Sequence, residues 1–331
     1  MTRLILTTSA SGAGCLQRAG AADIVIPFEF QFAWGRLPSP AELASLLAPR
    51  STRHDPALPN WLDQIGRGRE QIRRQGLGLL ELCRQCETVE LWIDPDPNAQ
   101  LMLLQLLDYF RADGKVISRL ALRQADVEIG DTSAETLPEW PQAVKILNDH
   151  LESASRAWQA YRQPTPQDWV DLLAEDLSVL PQLRQAVLEL LEELPMRSTG
   201  VGATEMLILE LISAGDAHPS DVFPGHRKAN QRRVFGYWEV GSLLDGLAHC
   251  PAPAVSGLDE GPFTLEMHED RNRHARYHRS KLKLTELGKA VLARTEDFSR
   301  HNPIRRWWGG TELTNQRLWR WDPANRALIS P

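Results

Sequence analysis

The order of helical and extended patterns between residues 203 and 298 constrains the fold of this chain more than any other feature. Three helical stretches come first, two extended runs follow, and a closing helix begins after Thr285, a good N-cap residue. The clearest of these segments are Ala203–Ser213, Phe235–His249, Phe263–Met267 and Tyr277–Leu284. Three helices, a β-hairpin and a closing helix predict a winged helix.

Short apolar runs alternate with helical stretches in the first 125 residues. The runs have the length and composition of buried strands, and they are Arg3–Thr8, Asp23–Ile26, Val89–Asp94 and Lys115–Leu122. A stretch of helical spacing with glycine interruptions, Trp61–Cys86, lies between the second and third runs. Strands that alternate with helices predict a doubly wound parallel sheet, covered on both faces and joined by right-handed crossovers.

The rest of the chain contains helical stretches that begin at prolines and, near the C-terminus, strand-like runs rich in tryptophan. The helical stretches are Pro141–Arg162, Pro166–Ala174 and Pro181–Leu194, and the strand-like runs are Thr311–Trp321 and Arg326–Ile329. The predicted fold class is α/β plus α. The four predicted parts are a Rossmann-like α/β domain (1–125), a helical connector (126–195), a winged-helix domain (196–300) and a Trp-rich hairpin packed on it (301–331).

Composition narrows the class of protein. With 42% hydrophobic and 24% charged residues, the chain is typical of soluble globular proteins, and no apolar run reaches the roughly 18 residues of a membrane-spanning helix. The first apolar run is too short for a signal peptide, so we expect a cytoplasmic protein without a membrane partner. From Arg197 onward, 19 Lys and Arg against 16 Asp and Glu weakly favour an anionic partner.

The four cysteines are too few for a disulfide framework in a chain of this length. Cys83 and Cys86 form a C-x-x-C pair at the end of a helical pattern, whereas a redox pair needs a helix N-terminus. A zinc site would need two more ligands at matching spacing. We therefore expect ordinary thiols, no bound metal and no cofactor.

The segment Ser9–Gly14 follows the first predicted strand and precedes a helix, where α/β domains hold phosphate on backbone N–H groups. The candidate ligand-binding residues are Ser9, Ser11, Gly12 and Gly14. The segment has a G-x-G, without a third glycine in register or the Lys-Ser/Thr pair of a P-loop. A tight turn that needs small residues is the competing interpretation.

Asp94 and Asp96 follow the third predicted strand, at the edge where open parallel sheets place their ligands. Two carboxylates there could bind Mg²⁺ or act as acid and base, so these are the candidate catalytic residues. The run Asp-Pro-Asp-Pro-Asn is also typical of a turn followed by a helix cap. A shared cleft with Ser9–Gly14 would favour a site, and hydrogen bonds to the next helix would favour capping.

The third predicted helix, Phe235–His249, lacks Lys and Arg and carries Glu239 and Asp245. Because base contacts favour arginine and phosphates repel carboxylates, it is a poor reader of the DNA major groove. Basic residues decorate the predicted hairpin instead, and they are Arg271, Arg273, Arg276, Arg279, Lys281 and Lys283. They predict weak contact with a nucleic-acid backbone; pairing with the acidic front part of the chain, or solvation, is the alternative.

Three histidines, His268, His274 and His278, lie in the same predicted hairpin. His274 and His278 are four residues apart, which is a metal-ligand spacing only on a helix. As strand residues they are expected to be solvated side chains of a mobile wing.

Several distinctive runs extend along almost the whole chain. They include LILTTSASGAG at the front, SRAWQAYRQP in the middle, and FGYWEVGSLLDGLA, RRWWGGTEL and LWRWD at the back. Their order resembles an uncharacterised bacterial family, domain of unknown function 1835, with its winged-helix-like C-terminal companion domain. Members of that family have Asn-Gly-Asp-Ser where this chain has Thr-Ser-Ala-Ser (8–11), and Glu-His-Asp where it has Asp-Pro-Asp (94–96). These differences point away from an enzyme.

Together the patterns favour a non-catalytic protein with a degenerate α/β ligand-binding domain and a winged-helix interaction or regulatory module. One alternative is a DNA-binding transcriptional regulator, supported by the basic hairpin residues. The other is a hydrolase or transferase acting on a phosphorylated or nucleotide-like substrate, supported by Asp94 and Asp96. The expected partners are a protein or, weakly, a nucleic-acid backbone.

Overall fold

The computed structural model describes residues 2–50, 60–63, 72, 75–133, 135–137, 140–215, 217–229 and 232–331. Contacts within the chain divide it into two compact units. The first comprises Met1–Phe32, Arg36–Tyr161 and Ala174–Arg184, and the second comprises Ala33–Gly35, Arg162–Leu173 and Gln185–Pro331. The boundaries predicted from the sequence, after residues 125, 195 and 300, differ from those of these units.

The first unit is built on a five-stranded sheet in the order β2-β1-β3-β4-β5. The strands are β1 Arg3–Thr7, β2 Ile24–Pro27, β3 Thr88–Ile93, β4 Leu120–Gln124 and β5 Val144–Lys145. β1 to β4 are parallel, with Leu6 beside Ile26 on one side and Leu91 on the other, whereas β5 is antiparallel to β4. The prediction of four adjacent parallel strands is confirmed.

Helices cover this sheet, and its central strands are buried along almost their whole length, as expected for a parallel sheet. The helices are Ala10–Arg18, Pro40–Leu47, Leu79–Gln85, Pro97–Phe110, Gly114–Ile117 and Asn148–Tyr161. Pro97–Phe110 is capped by Asp96. It packs against Asn148–Tyr161, which therefore belongs to the first unit although the sequence predicts it as part of a connector.

Two predicted segments of this unit have wrong boundaries. The strand predicted for Lys115–Leu122 begins as the helix Gly114–Ile117, because Asp113 accepts hydrogen bonds from two N–H groups at the start of that helix. The helix predicted from Pro141 begins only at Asn148, and the short strand β5 precedes it.

The stretch between β2 and β3 is only partly described. Pro40–Leu47 is a helix, and Ser39 forms a capping box with Glu42. The predicted helical stretch Trp61–Cys86 contains a 3-10 turn at Trp61–Asp63 and the helix Leu79–Gln85. Its residues 64–71, 73 and 74 lie outside the described residues.

The second unit is mainly helical. Its helices are Gln167–Asp171, Leu183–Glu192 from Gln185 onward, Ala203–Ala214, Pro219–Ala229, Tyr237–Ala248, Leu265–Glu269, Arg271–Arg279 and Glu286–Leu292. Antiparallel pairs join Val255–Ser256 to Lys283–Leu284, Arg305–Trp308 to Thr311–Thr314, and Arg320–Asp322 to Ala327–Ile329. We call Tyr237–Ala248 the third helix and Arg271–Arg279 the basic helix. Within the described ranges, none of the helices is both long and apolar enough to cross a membrane.

The predicted hairpin of Phe263–Met267 and Tyr277–Leu284 is wrong, because helices occupy Leu265–Met267 of the first run and Tyr277–Arg279 of the second, and only Lys283–Leu284 is a strand. Two successive N-caps start these helices: Thr264 accepts a hydrogen bond from the helix that follows it, and Asp270 does the same for the basic helix. The antiparallel strand pair forms instead between the residues that flank these two helices.

The C-terminal strands pack on helices of the second unit. Trp308 is 5% exposed, and its indole N–H donates to the Leu190 carbonyl at 2.7 Å. Arg306 forms an ion pair with Glu205 at 2.9 Å. The fully buried Trp321 shows further that these tryptophans contribute to the core of the unit.

Candidate functional site

The Asp94 carboxylate is buried at the carboxyl edge of the sheet, where it accepts three hydrogen bonds. Its Oδ2 atom accepts from the Thr8 and Ser9 hydroxyls, each at 3.0 Å, and its Oδ1 atom accepts from the Ile129 N–H at 2.7 Å. Burial raises the pKa of Asp94, while these donors oppose the rise. The side chain thus joins the ends of β1 and β3 to the turn at Ile129.

Asp96 has a different role from Asp94. It is the N-cap of Pro97–Phe110, and its Oδ1 atom accepts from the Ala99 N–H at 3.0 Å. The structure therefore brings Asp94 to Ser9, as a shared site requires, but directs Asp96 to its own helix. Asp96 is therefore a helix cap, which is the competing interpretation of the Asp-Pro-Asp-Pro-Asn run.

The predicted ligand-binding turn is the first part of the helix Ala10–Arg18. Ser9 caps this helix, and its hydroxyl accepts from the Gly12 N–H at 3.1 Å. The Ala10 N–H donates to the Glu29 carboxylate at 3.0 Å. Because phosphates bind to such N-terminal N–H groups, a phosphate would have to displace Glu29.

The small residues of this segment permit close packing. A Cβ atom at Gly12 would lie 3.1 Å from the Ile129 Cβ, and one at Gly130 would lie 2.5 Å from the Ser11 Oγ. At Gly14, a Cβ would meet a flexible arginine side chain at 3.3 Å. The turn at residues 129–131 therefore lies directly against the helix N-terminus, which gives Ser11 and Gly12 a packing role.

The six basic residues predicted to contact nucleic acid lie on the basic helix or just after it. Two are paired within the chain, because Glu260 accepts from Arg276 at 2.7 Å and from Arg273 at 3.1 Å. These hydrogen bonds lower the pKa of Glu260. The exposed members of the set are Arg271, Arg276, Arg279, Lys281 and Lys283. The positive charges are thus on one segment, and one carboxylate offsets part of them.

The third helix exposes two aromatic side chains at its start. Tyr237 and Trp238 are 38% and 41% exposed. Glu239 caps this same helix through its carboxylate. Asp245, expected from the sequence to be a carboxylate of this helix that repels phosphate, is instead buried and accepts a hydrogen bond from the Phe263 N–H. Burial raises the pKa of Asp245.

Three histidines cluster near Tyr237. His274 and His278 lie one turn apart on the basic helix, and their Nε2 atoms are 3.0 Å apart. The Tyr237 hydroxyl lies 3.3 Å from each of these atoms, and the His268 and His274 ring centroids are 4.3 Å apart. Burial, with neighbouring imidazoles, lowers the pKa of both His274 and His278. The prediction that these histidines are strand residues is therefore wrong.

A cavity of about 560 Å³ is lined by residues of Pro219–Ala229, the third helix and the basic helix. His226 lies in its wall; this side chain is 3% exposed, and its Nε2 atom has no hydrogen-bond partner among the described residues. Burial, aided by the charge of Arg233, lowers the pKa of His226 to about 4, so the ring is neutral at pH 7. The described residues that line the cavity include Arg227 and Arg233 and no carboxylate.

Sequence reasoning missed this cavity because three separate segments form its walls. The available signal was weak: Phe223 and His226 are three residues apart on one helix, and His274 and His278 are four apart on another. Such spacing places side chains on one face of a helix, but it does not show which segments face each other.

Two further features bear on metal chemistry. Cys83 and Cys86 are free and buried, and burial raises the pKa of both thiols. Such thiols are poor nucleophiles, because the reactive form is the thiolate. Over the part of the chain that the structure describes, no group of three or more His, Cys, Asp or Glu side chains is arranged to hold a metal ion.

Comparison with protein-family models finds no match, and comparison with curated proteins finds none either. A fold by itself does not imply an activity. The function must therefore be inferred from the chemistry of the site.

Proposed function

We propose that this chain is a non-catalytic regulatory protein whose second unit binds a small anionic molecule in the cavity lined by His226. The main support is the Nε2 atom of His226, which is buried in the cavity wall without a hydrogen-bond partner among the described residues. An unsatisfied buried polar atom costs roughly 1–3 kcal/mol. A ligand could remove that cost by forming a hydrogen bond with this atom once the imidazole ring turns it toward the cavity, because the atom itself is buried.

The size and lining of the cavity indicate the class of ligand. Its volume of about 560 Å³ is in the range that holds drug-sized molecules. Phe223 and Val240 supply apolar surface, while Arg227 and Arg233 supply positive charge. These features favour a molecule with an aromatic or other apolar body and a carboxylate, sulfonate or phosphate group.

The order of elements around the cavity supports a winged-helix-like module. The helices Ala203–Ala214 and Pro219–Ala229 and the third helix precede a two-stranded sheet, and Glu286–Leu292 follows it. Ala203–Ala214 packs against each of the other three helices. In this interpretation two short helices occupy the position of the wing.

A DNA-binding regulator is the second candidate. The exposed Arg271, Arg279, Lys281 and Lys283 favour phosphate contact. The third helix exposes Tyr237 and Trp238 at its start. These side chains cannot form the pair of charged hydrogen bonds by which arginine recognises guanine. Contact with nucleic acid would therefore be confined to the backbone.

The first unit fits a degenerate ligand-binding domain. A hydrolase or transferase at Asp94 and Asp96 is less well supported, because Asp96 caps a helix and Asp94 already accepts three hydrogen bonds. The resemblance to the family of domain of unknown function 1835 stays a prediction, and it implies no ligand.

Titration with anilinonaphthalene sulfonate, an anionic aromatic dye, tests the cavity. We expect one saturable site in the full chain. The double variant Arg227→Gln/Arg233→Gln should bind about tenfold more weakly or worse, since hydrogen bonds to charged groups contribute about 1.5–3 kcal/mol. Lys228→Gln, an exposed neighbour outside the cavity lining, should bind as the wild type does. Equal affinity of the double variant and the wild type would overturn the proposal.

A further inference from the structure

We propose that His274, His278 and Tyr237 form a binding site for a divalent transition-metal ion such as Zn²⁺. The three ligand atoms are the two imidazole Nε2 atoms and the Tyr237 hydroxyl oxygen. Their mutual separations are 3.0 Å between the nitrogens and 3.3 Å from the oxygen to each nitrogen. The site goes beyond the anion-binding function, because its atoms differ from the Nε2 atom of His226 and it can be tested with metal alone.

These separations match one face of a tetrahedral coordination sphere. Zn²⁺ lies about 2.0–2.1 Å from imidazole nitrogen, so two ligands of a tetrahedron are about 3.3 Å apart. A triangle of donors with sides of 3.0, 3.3 and 3.3 Å can therefore accept an ion above its centre with little movement. The distance between the two Nε2 atoms is thus close to that expected for two ligands of one ion.

The helix supplies the spacing on which this geometry depends. Asp270 caps the basic helix, so His274 and His278 lie one turn apart on one face rather than at alternate positions of a strand. Two histidines at this spacing on a helix are a known zinc-ligand pattern. A separation of four residues is not a metal-ligand spacing on a strand. On this helix, the same separation places the two histidines close enough to bind one ion.

Aromatic packing holds the third ligand in place. The Tyr237 ring contacts Phe263 at a centroid distance of 5.1 Å and Trp238 at 5.5 Å. The His268 ring contacts both His274 and Trp238. Residues around a metal site that restrict ligand rotation raise its affinity, because less conformational freedom is lost on binding.

The remaining coordination positions are open to small ligands. The site offers two histidines and a phenol, in agreement with the finding that no described group of three His, Cys, Asp or Glu side chains forms a metal site. Water would complete the coordination, as in zinc sites with an open position. Tyr237 would bind as phenolate and release its proton to solvent. Tyr237 and His278 also line the 560 Å³ cavity, so the metal would border it.

Isothermal titration of the untagged full chain with ZnCl₂ tests the site, and Co²⁺ absorption reports the geometry. We expect one equivalent of Zn²⁺ to bind, and Co²⁺ to give the strong visible bands of tetrahedral coordination. His274→Gln and His278→Gln should each weaken binding at least tenfold, whereas His301→Gln, an exposed histidine of the same unit, should not. Absence of Zn²⁺ binding below millimolar concentration, or binding unaffected by both substitutions, would overturn the site.

Two controls keep these outcomes interpretable. Circular dichroism spectra of the variants should match the wild type, which separates the loss of a metal ligand from unfolding. Tyr237→Phe keeps the ring packing and removes the hydroxyl, so it should weaken Zn²⁺ binding severalfold and alter the Co²⁺ spectrum. Unchanged affinity and spectrum in this variant would overturn the assignment of Tyr237 as a ligand.

Discussion

The ring of Phe263 fills the space beside Gly241 in the third helix, where a Cβ atom at position 241 would lie 2.1 Å from the Phe263 Cδ1 atom. The Phe263 N–H donates to Asp245, one turn further along the same helix. The ring also contacts Tyr237 and Tyr277, with centroids 5.1 and 4.9 Å apart. The absence of a side chain at Gly241 therefore leaves room for the Phe263 ring, which packs against Tyr237 of the proposed metal site.

Replacing Gly241 by alanine should destabilise the second unit by roughly 1–3 kcal/mol, because the added methyl group must displace the buried Phe263 ring. Urea denaturation followed by circular dichroism measures this change. Gly246→Ala is the matched control, since a Cβ there meets no described atom within 4 Å and helix propensity favours alanine by up to about 1 kcal/mol. Equal stability of the two variants would contradict the close contact at Gly241.

Asp94→Asn should destabilise the first unit by roughly 1–3 kcal/mol, although it preserves the shape of the side chain. One carboxylate oxygen becomes an NH₂ group, which cannot accept from the Thr8 and Ser9 hydroxyls or from the Ile129 N–H. Asp96→Asn should change stability by only a few tenths of a kcal/mol, because asparagine caps helices about as well as aspartate. Denaturant midpoints of the two variants provide the comparison. A larger loss of stability for Asp96→Asn would reverse the assigned roles.

Stability of the second unit should depend on the protonation of Glu193. Burial raises the pKa of Glu193 from 4.5 to about 7, and the side chain contacts both the hydroxyl and the N–H of Thr204. Because the folded chain holds this proton more tightly than the unfolded chain, the stabilising contribution is full below about pH 4.5 and is lost as pH rises through about 7.

The variant Glu193→Gln isolates this effect. Its unfolding free energy should lack the decline of the wild type between about pH 5 and pH 8, a difference of about 3 kcal/mol in order of magnitude. Glu286→Gln, at an exposed position, should retain the decline. Chemical denaturation at several pH values measures all three chains. A wild-type profile that stays parallel to that of Glu193→Gln would contradict the raised pKa.

Binding to duplex DNA should be weak, independent of sequence and carried by the basic helix and the residues directly after it. Replacing Arg271, Arg279 and Lys281 together by glutamine should weaken binding to all duplexes alike. The log–log salt slope should become shallower by about 0.9 for each phosphate that the variant no longer neutralises. Fluorescence anisotropy with random and genomic duplexes at several salt concentrations measures both quantities.

A second set of substitutions sharpens this test. Replacing Arg273 and Arg276 should have a smaller effect for each charge removed, because Glu260 already pairs with both. Tight binding to one sequence, abolished on changing Tyr237 or Trp238, would instead show base readout by the third helix.

The sequence by itself determined the parallel sheet of the first unit and several helix starts. The four apolar runs are long enough for buried strands, and the helical stretches between them require crossovers, so the pairing followed from local patterns. The capping sequence at Asp96 is also local, because a cap bonds N–H groups only two or three residues away.

The same kind of reasoning was wrong for Phe263–Met267 and for the first part of Tyr277–Leu284, although Lys283–Leu284 is a strand. Runs with aromatic residues favour strands only weakly, and the caps at Thr264 and Asp270 outweigh that preference. Both cap residues can be recognised in the sequence, so the two helices could have been predicted from it. The outcome changes the chemistry of His274 and His278, because helical spacing brings their Nε2 atoms within 3.0 Å.

Only the tertiary structure decided which groups meet at the candidate site. His226, Tyr237 and His278 come from three helices, and no local pattern in the chain specifies the distances between helices. Those distances depend on packing, such as the fit of Phe263 against Gly241. The Asp94 contact with Ile129 is likewise non-local, spanning 35 residues. Periodicity and caps act over a few residues and can be read from sequence, whereas a cavity, a buried imidazole nitrogen in its wall and a triangle of donor atoms exist only after distant segments have packed.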